Sequence, residues 1–315
     1  MEVSYSTRVK EELYKHIDGA RHCQLAELTA IINSCGHIEM SEKDDNPLII
    51  RFDKKALFRK CFTLLKKTYN ISFVSNEGYV TESEDGDISE IVITERQTID
   101  TILRGIKAID KKGSFTGFGG RIDSTIVRST CCKQAYIRGM FLCKGFVNEP
   151  AKGYHLEITC ETQENADQVV EILALLDIDA KIVCRKKRFV VYIKEGNALV
   201  QFLGICGAHV SVMNLESYRV LKSVGNDVNR RNNCDVANIK KTAEAYNRLV
   251  DDINLIRSVY GFEKLPDNLR EMAEIRLEYP EASLQKLGEL LDPPVGKSGV
   301  NHRLRKLSEL ADTLR

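Results

Sequence analysis

Tyr136-Ile137-Arg138-Gly139-Met140-Phe141-Leu142-Cys143-Lys144-Gly145-Phe146-Val147 is the segment on which the fold turns. The apolar run from Ala135 to Cys143 predicts a helix, and Gly145 closes it. Phe146-Val147 and Tyr154 to Cys160 predict two strands around the turn Pro150-Ala151-Lys152-Gly153. Asn165 to Leu176 follows as a helix. Ala180 to Cys184 and Phe189 to Ile193 are strands joined by Arg185-Lys186-Lys187-Arg188, and Asn197 to Cys206 is a closing helix.

The same order stands earlier in the chain. Leu25 to Cys35 predicts a helix stopped at Gly36, followed by strands at His37 to Met40 and Leu48 to Phe52. Lys54 to Tyr69 is amphipathic, with Leu57, Phe58, Cys61, Leu64 and Leu65 on one face. Ile71 to Ser75 and Ile91 to Thr94 are strand candidates on either side of an acidic loop, Glu82 to Glu90. Gln97 to Ile109 closes the unit as a helix. Gly36 and Gly145 are 109 positions apart, as are Ile71 and Ala180. An internal repeat of this kind fixes the architecture before any single motif does. The fold class expected is α+β, a pseudo-twofold αββαββα repeat followed by a helical domain.

Composition narrows the class further. The 315 residues are 43% hydrophobic and 29% charged, with 46 Lys plus Arg against 45 Asp plus Glu. Such a chain is globular and long enough for about two domains. No apolar run reaches the ~20 residues of a membrane span, and Met1 to Lys10 has no signal-peptide pattern, so a cytoplasmic protein is expected. The ten cysteines include no C-x-x-C pair, so they read as buried thiols in a reducing compartment, with no metal and no cofactor expected. Adjacent Cys131-Cys132 is the one pair that suggests redox sensitivity. The balanced bulk charge leaves partner preference to local patches.

From about Ser223 the pattern changes. Asn226 to Asn233 is rich in Asn and Arg and reads as a linker, and Val236 to Val259 as one long helix. The expected boundaries are 1–110 and 111–222 for the two repeats, 223–262 for linker and long helix, and 263–315 for a terminal helical domain.

That last unit predicts three helices: Leu269 to Tyr279, Leu284 to Leu291 capped by Ser283, and a third capped by Ser298 and running to about Leu314. This is the helix-turn-helix plan with a longer break than usual before the last helix. On the third helix Val300, Leu304, Leu307, Ala311 and Leu314 share one side. Lys297, Ser298, Asn301, His302, Arg303, Arg305 and Lys306 occupy or flank the other. No acid occurs from Pro293 to Ser308. Asn, His and Arg suit base edges in the major groove, and Lys and Arg suit phosphates, so double-stranded DNA is the expected partner. Gly296-Lys297-Ser298 is not a Walker A end, because Leu291 stands where that motif needs Gly.

The helix from Tyr136 to Gly145 resembles the LAGLIDADG helix of homing endonucleases, with Leu28 to Gly36 as a degenerate first copy. In that family each such helix presents an acid before its final Gly, and the two acids hold catalytic divalent metal. Here Cys35 and Lys144 take those places, and neither is an oxygen ligand. Together with Leu284 to Leu291 and the run Pro293-Pro294-Val295-Gly296-Lys297-Ser298-Gly299-Val300-Asn301-His302-Arg303-Leu304-Arg305-Lys306-Leu307, the chain resembles the WhiA proteins of Gram-positive bacteria over essentially its whole length. The resemblance implies a nucleoid-associated transcription regulator that is not an enzyme. It also implies control of sporulation genes in some relatives, and a tie to cell division and chromosome segregation in others. Arg185, Lys186, Lys187 and Arg188 offer an auxiliary DNA contact, because six basic residues and no acid occur from Lys181 to Lys194. The rival readings are a nuclease with ligands moved to Asp123, Glu149 or Glu157, and a protein-interaction module of the division machinery.

Overall fold

The computed structural model describes residues 3–39, 46–70, 80–82, 89–110 and 112–315. They form two compact units, residues 1–221 and 222–315.

In the first unit, α1 (Tyr5–Lys15) is capped by the Ser4 hydroxyl, which accepts from the Thr7 N–H, and buries Tyr5, Val9 and Leu13. Next come α2 (Arg21–Cys35), β1 (Gly36–Ile38), β2 (Leu48–Phe52), α3 (Lys55–Tyr69), β3 (Val80–Glu82), β4 (Ser89–Ile93) and α4 (Arg96–Gly105). The second repeat runs α5 (Thr130–Lys144), β5 (Gly145–Val147), β6 (Leu156–Cys160), α6 (Gln163–Ala174), β7 (Lys181–Arg185), β8 (Arg188–Ile193) and α7 (Gly196–Cys206). Each repeat holds one antiparallel sheet, with strand orders β1-β2-β4-β3 and β5-β6-β8-β7. Both ends of α2 and of α5 differ by 109 positions, so the sequence repeat is a structural one.

Helices α2 and α5 pack against each other at the centre of the unit. Both are buried nearly all round, through Ala26, Leu28, Ala30, Ile31 and Ile32 on one and Tyr136, Ile137, Met140, Phe141 and Leu142 on the other. A helix without a polar face belongs in a core. Gly139 sets the closeness of the crossing: a Cβ there would lie 2.7 Å from the Ala30 Cβ and 2.8 Å from the Glu27 carbonyl oxygen.

The second unit contains the latter part of α8 (His209–Leu255), a π-helical turn at Ile256–Tyr260, α9 (Asp267–Glu278), α10 (Leu284–Leu290) and α11 (Lys297–Leu314). Its core is Ile253, Ile256, Leu265, Leu269, Met272, Leu287, Val300, Leu304, Leu307 and Ala311.

Three expectations are corrected. Residues 226–233, expected as a linker, are helical within α8, and they are exposed throughout. Asn and Arg satisfy no core there, but an exposed helix needs none when its backbone bonds are internal. Ser298 does not cap α11: the helix begins two residues earlier than that cap implies, at Lys297, with Gly296 at the cap position and no side-chain cap bond. The expected closing helix from Gln97 to Ile109 ends at Gly105, after which Ile109 bridges Phe115 in extended backbone. The strand expected at Ile71 to Ser75 and most of the acidic loop, residues 83–88, lie outside the described residues. Among the described residues no helix is long and apolar enough to cross a membrane.

Candidate nucleic-acid interface

Helix α10 is started by Ser283, whose hydroxyl accepts from the Lys286 N–H at 3.3 Å. The segment 291–296 then carries the chain to α11, and two bonds hold it. The Asp292 N–H donates to Glu271 Oε1 at 2.9 Å, and the Val295 N–H to the Gly288 carbonyl at 2.9 Å. This pinning is how a break longer than the ordinary helix-turn-helix turn still fixes the last helix. It also requires Gly288, because a Cβ there would sit 2.0 Å from the Val295 carbonyl oxygen.

Val300, Leu304, Leu307 and Ala311 are buried, as the periodicity requires. Lys297, Ser298, Asn301, His302, Arg305 and Lys306 are all exposed and lie along the opening turns of α11. Arg305 is 76% exposed and its Nε donates to Glu309 Oε1 at 2.8 Å, an i,i+4 pair that holds the guanidinium along the helix. Arg303 differs from the rest. It is 18% exposed, pairs with Glu271 at 3.7 Å and donates to the Asn268 carbonyl at 3.4 Å, so its guanidinium is turned onto α9. Glu271 thus holds both the turn and α11.

In the first unit, Cys35 and Lys144 are the last residues of α2 and α5 and line one cleft of about 1020 Å³. A thiol hydrogen bond from Cys143, aided by the Lys144 charge, pulls the Cys35 thiol below its usual range, while Cys143 is pushed up. Among the described residues the acids on the cleft wall are Glu11, Asp53 and Glu161, and Lys144 stands 3.9 Å from Glu161. The three suspected acids are elsewhere. Glu149 holds Arg8 at 3.0 Å and the Tyr5 N–H at 3.1 Å, Glu157 holds His155 at 3.2 Å, and Asp123 caps the Thr125 N–H at 2.8 Å.

Arg185, Lys186, Lys187 and Arg188 form the exposed tip of the β7–β8 hairpin. Arg185 and Arg188 are paired across it, and Lys186 and Lys187 have φ of +49° and +65°. A two-residue hairpin turn with both φ positive favours Asn-Gly. Two lysines there carry a backbone cost of roughly 1 kcal/mol each, set against whatever their charge provides. The double change Lys186→Asn with Lys187→Gly is expected to raise thermal stability by relieving the turn. If the tip touches phosphate, the same change reduces the salt slope of DNA affinity by about two, one per lysine. Thermal melts and binding isotherms read the two effects separately.

A buried charged network, which periodicity gave no sign of, holds this unit together. Glu27 of α2 is fully buried and meets Lys60 of α3 at 2.7 Å and Arg138 of α5 at 3.1 Å. Lys60 also donates to the carbonyls of Leu13 and His16 at 2.7 and 2.6 Å, and Arg138 to the Cys206 carbonyl at 3.2 Å and to Asp18. Burial pulls the Lys60 ammonium below its usual range, against the pull of Glu27.

Family profiles described as the WhiA N-terminal LAGLIDADG-like domain, the WhiA LAGLIDADG-like domain and the WhiA C-terminal HTH domain match residues 21–75, 133–225 and 228–311. The probable cell division protein WhiA of Lachnoclostridium phytofermentans is 42% identical over 316 residues, covering 99% of this chain and 100% of its own. That of Clostridium perfringens is 38% identical over 313 residues, covering 99% of each. The crystal structure of full-length DUF199/WhiA from Thermatoga maritima superposes over 99% of both chains with a TM-score of 0.58 at 23% identity, a likeness of fold. With all three domains matched and identity sustained over the full length, this chain belongs to the WhiA family, a degenerate LAGLIDADG-like fold followed by a helix-turn-helix domain.

Proposed function

We propose that this chain is a non-enzymatic, sequence-specific DNA-binding regulator of transcription, working on the nucleoid. Cell division is the process its relatives are named for, and chromosome segregation the one the family resemblance adds. The observation that carries this reading is the α11 face, where Lys297, Ser298, Asn301, His302, Arg305 and Lys306 are exposed together on a helix whose other side is packed. Asn301, His302 and Arg305 are assigned to base edges, and Lys297, Ser298 and Lys306 to phosphates. Arg303 belongs to the same constellation as the residue that fixes α11 on α9. The LAGLIDADG-like unit acts as scaffold, with the Arg185–Arg188 tip as an auxiliary backbone contact. Cys35 and Lys144 argue against nuclease chemistry, since a lysine places a positive charge where a hard cation needs oxygen.

Affinity for a duplex site is expected to fall steeply and linearly with the logarithm of salt, as phosphate neutralisation requires. Arg305→Ala should cost about 1–3 kcal/mol on the specific site and much less on random duplex. Equal loss on both would make Arg305 a phosphate contact. A flat salt response would remove the DNA reading, and metal-dependent nicking of supercoiled plasmid by the full chain would restore the nuclease one.

A further inference from the structure

Residues 22–23 and 131–132 lie at the opposite ends of α2 and α5 from Cys35 and Lys144, roughly 20 Å away along helices of this length. There the two repeats bring together His22, Cys23, Cys131 and Cys132, whose ligand atoms all lie within 4.8 Å of one another. His22 Nδ1 is 3.1 Å from Cys132 Sγ, 3.3 Å from Cys23 Sγ and 4.0 Å from Cys131 Sγ. A tetrahedral zinc with Zn–S near 2.3 Å and Zn–N near 2.0 Å sets its ligand atoms about 3.5–3.8 Å apart. The four side chains therefore need only small adjustments to close on one ion.

We propose that His22, Cys23, Cys131 and Cys132 form a tetrahedral Cys₃His zinc site that ties the two repeats together where their central helices begin.

Placement supports this in three ways. The ligands are two adjacent pairs related by the 109-residue repeat, His22 with Cys131 and Cys23 with Cys132, so the pseudo-twofold itself delivers two ligands from each half. All four fall in the first turns of α2 and α5. The helix dipole there stabilises a negatively charged ligand shell, against the burial that pushes the metal-free Cys23 and Cys132 thiols up. Cys23 and Cys132 are buried while His22 and Cys131 are exposed, which leaves the ion a way in and a protected seat. Three thiolates and an imidazole are a soft donor set that selects zinc over magnesium or calcium. The four atoms are gathered too tightly to hold a multi-iron cluster. The usual C-x-x-C search misses the site because each half supplies a bare dipeptide.

The test uses the full-length reduced chain. After exchange into metal-free buffer and titration with zinc, one equivalent per chain is expected to remain through gel filtration. A mercurial should release it stoichiometrically. Cobalt titration should give the intense visible bands of a tetrahedral thiolate site. The ligands altered are the two exposed ones, so that the core is spared: His22→Ala with Cys131→Ser should weaken binding by roughly a hundredfold or more. His22→Cys should retain the metal with a shifted cobalt spectrum. Cys184→Ser with Cys234→Ser, at exposed cysteines outside the cluster, should change nothing. A wild-type chain that takes up no zinc and gives no cobalt bands would overturn the proposal. So would a double variant that binds as well as wild type, or a disulfide within the cluster that persists under reduction.

Discussion

Glu27→Ala is expected to cost about 3–5 kcal/mol of stability, the largest single loss in the first unit. Glu27 is fully buried, and its carboxylate is the counter-ion for Lys60 and Arg138, themselves buried. Removing it leaves two cations inside a core that holds Leu13, Leu28, Tyr136 and Phe202. The surviving partners do not compensate: Lys60 keeps only the Leu13 and His16 carbonyls, and Arg138 keeps Asp18 and a carbonyl of Cys206. Changing Glu27, Lys60 and Arg138 together to Leu or Met should recover much of the loss, because the charges then leave with their desolvation cost. Urea denaturation of the single and the triple variant measures this. Near-wild-type stability of Glu27→Ala would mean that water reaches the cluster.

Gly288→Val is the corresponding break in the second unit. The Gly288 Cα faces the Val295 carbonyl so closely that even a Cβ would lie 2.0 Å from its oxygen, and Val300 Cγ2 stands 3.2 Å away. Overpacking of a fitted contact costs about 1–3 kcal/mol, and here it falls against backbone that cannot rotate aside. The bond from Val295 to the Gly288 carbonyl also stretches or breaks. The loss in DNA affinity should exceed that of Arg305→Ala, because every residue on the α11 face shifts at once. Helical content by circular dichroism should remain near wild type, since the longest helices lie elsewhere. A variant with unchanged affinity would show that the α10–α11 turn tolerates rearrangement.

The repeat was legible because two glycines 109 positions apart end two apolar helices, and the chain's period changes at the same points in each copy. The exposed face of α11 was legible for a similar reason: a packed stripe fixes which residues are left outside. Arg303 was not, because helical periodicity places it at the margin and only the position of Glu271 on α9 decides where it turns. Residues 226–233 misled because composition reports burial more directly than backbone state, and an exposed polar helix resembles a linker in its residues. The Glu27 network and the cysteine cluster were hidden by distance along the chain. Glu27 and Arg138 are 111 positions apart, His22 and Cys132 110, and each member taken alone reads as an ordinary helix residue.

At the repeat offset, the counterpart of Glu27 is Tyr136 and that of Arg138 is Thr29. The ionic contact at the heart of the first unit therefore joins unlike halves. Two copies of the first half would bring a buried acid to a threonine, and two copies of the second would bring a buried arginine to a tyrosine. Pairing of like halves is thereby penalised, so a first half is steered to a second half rather than to another copy of itself.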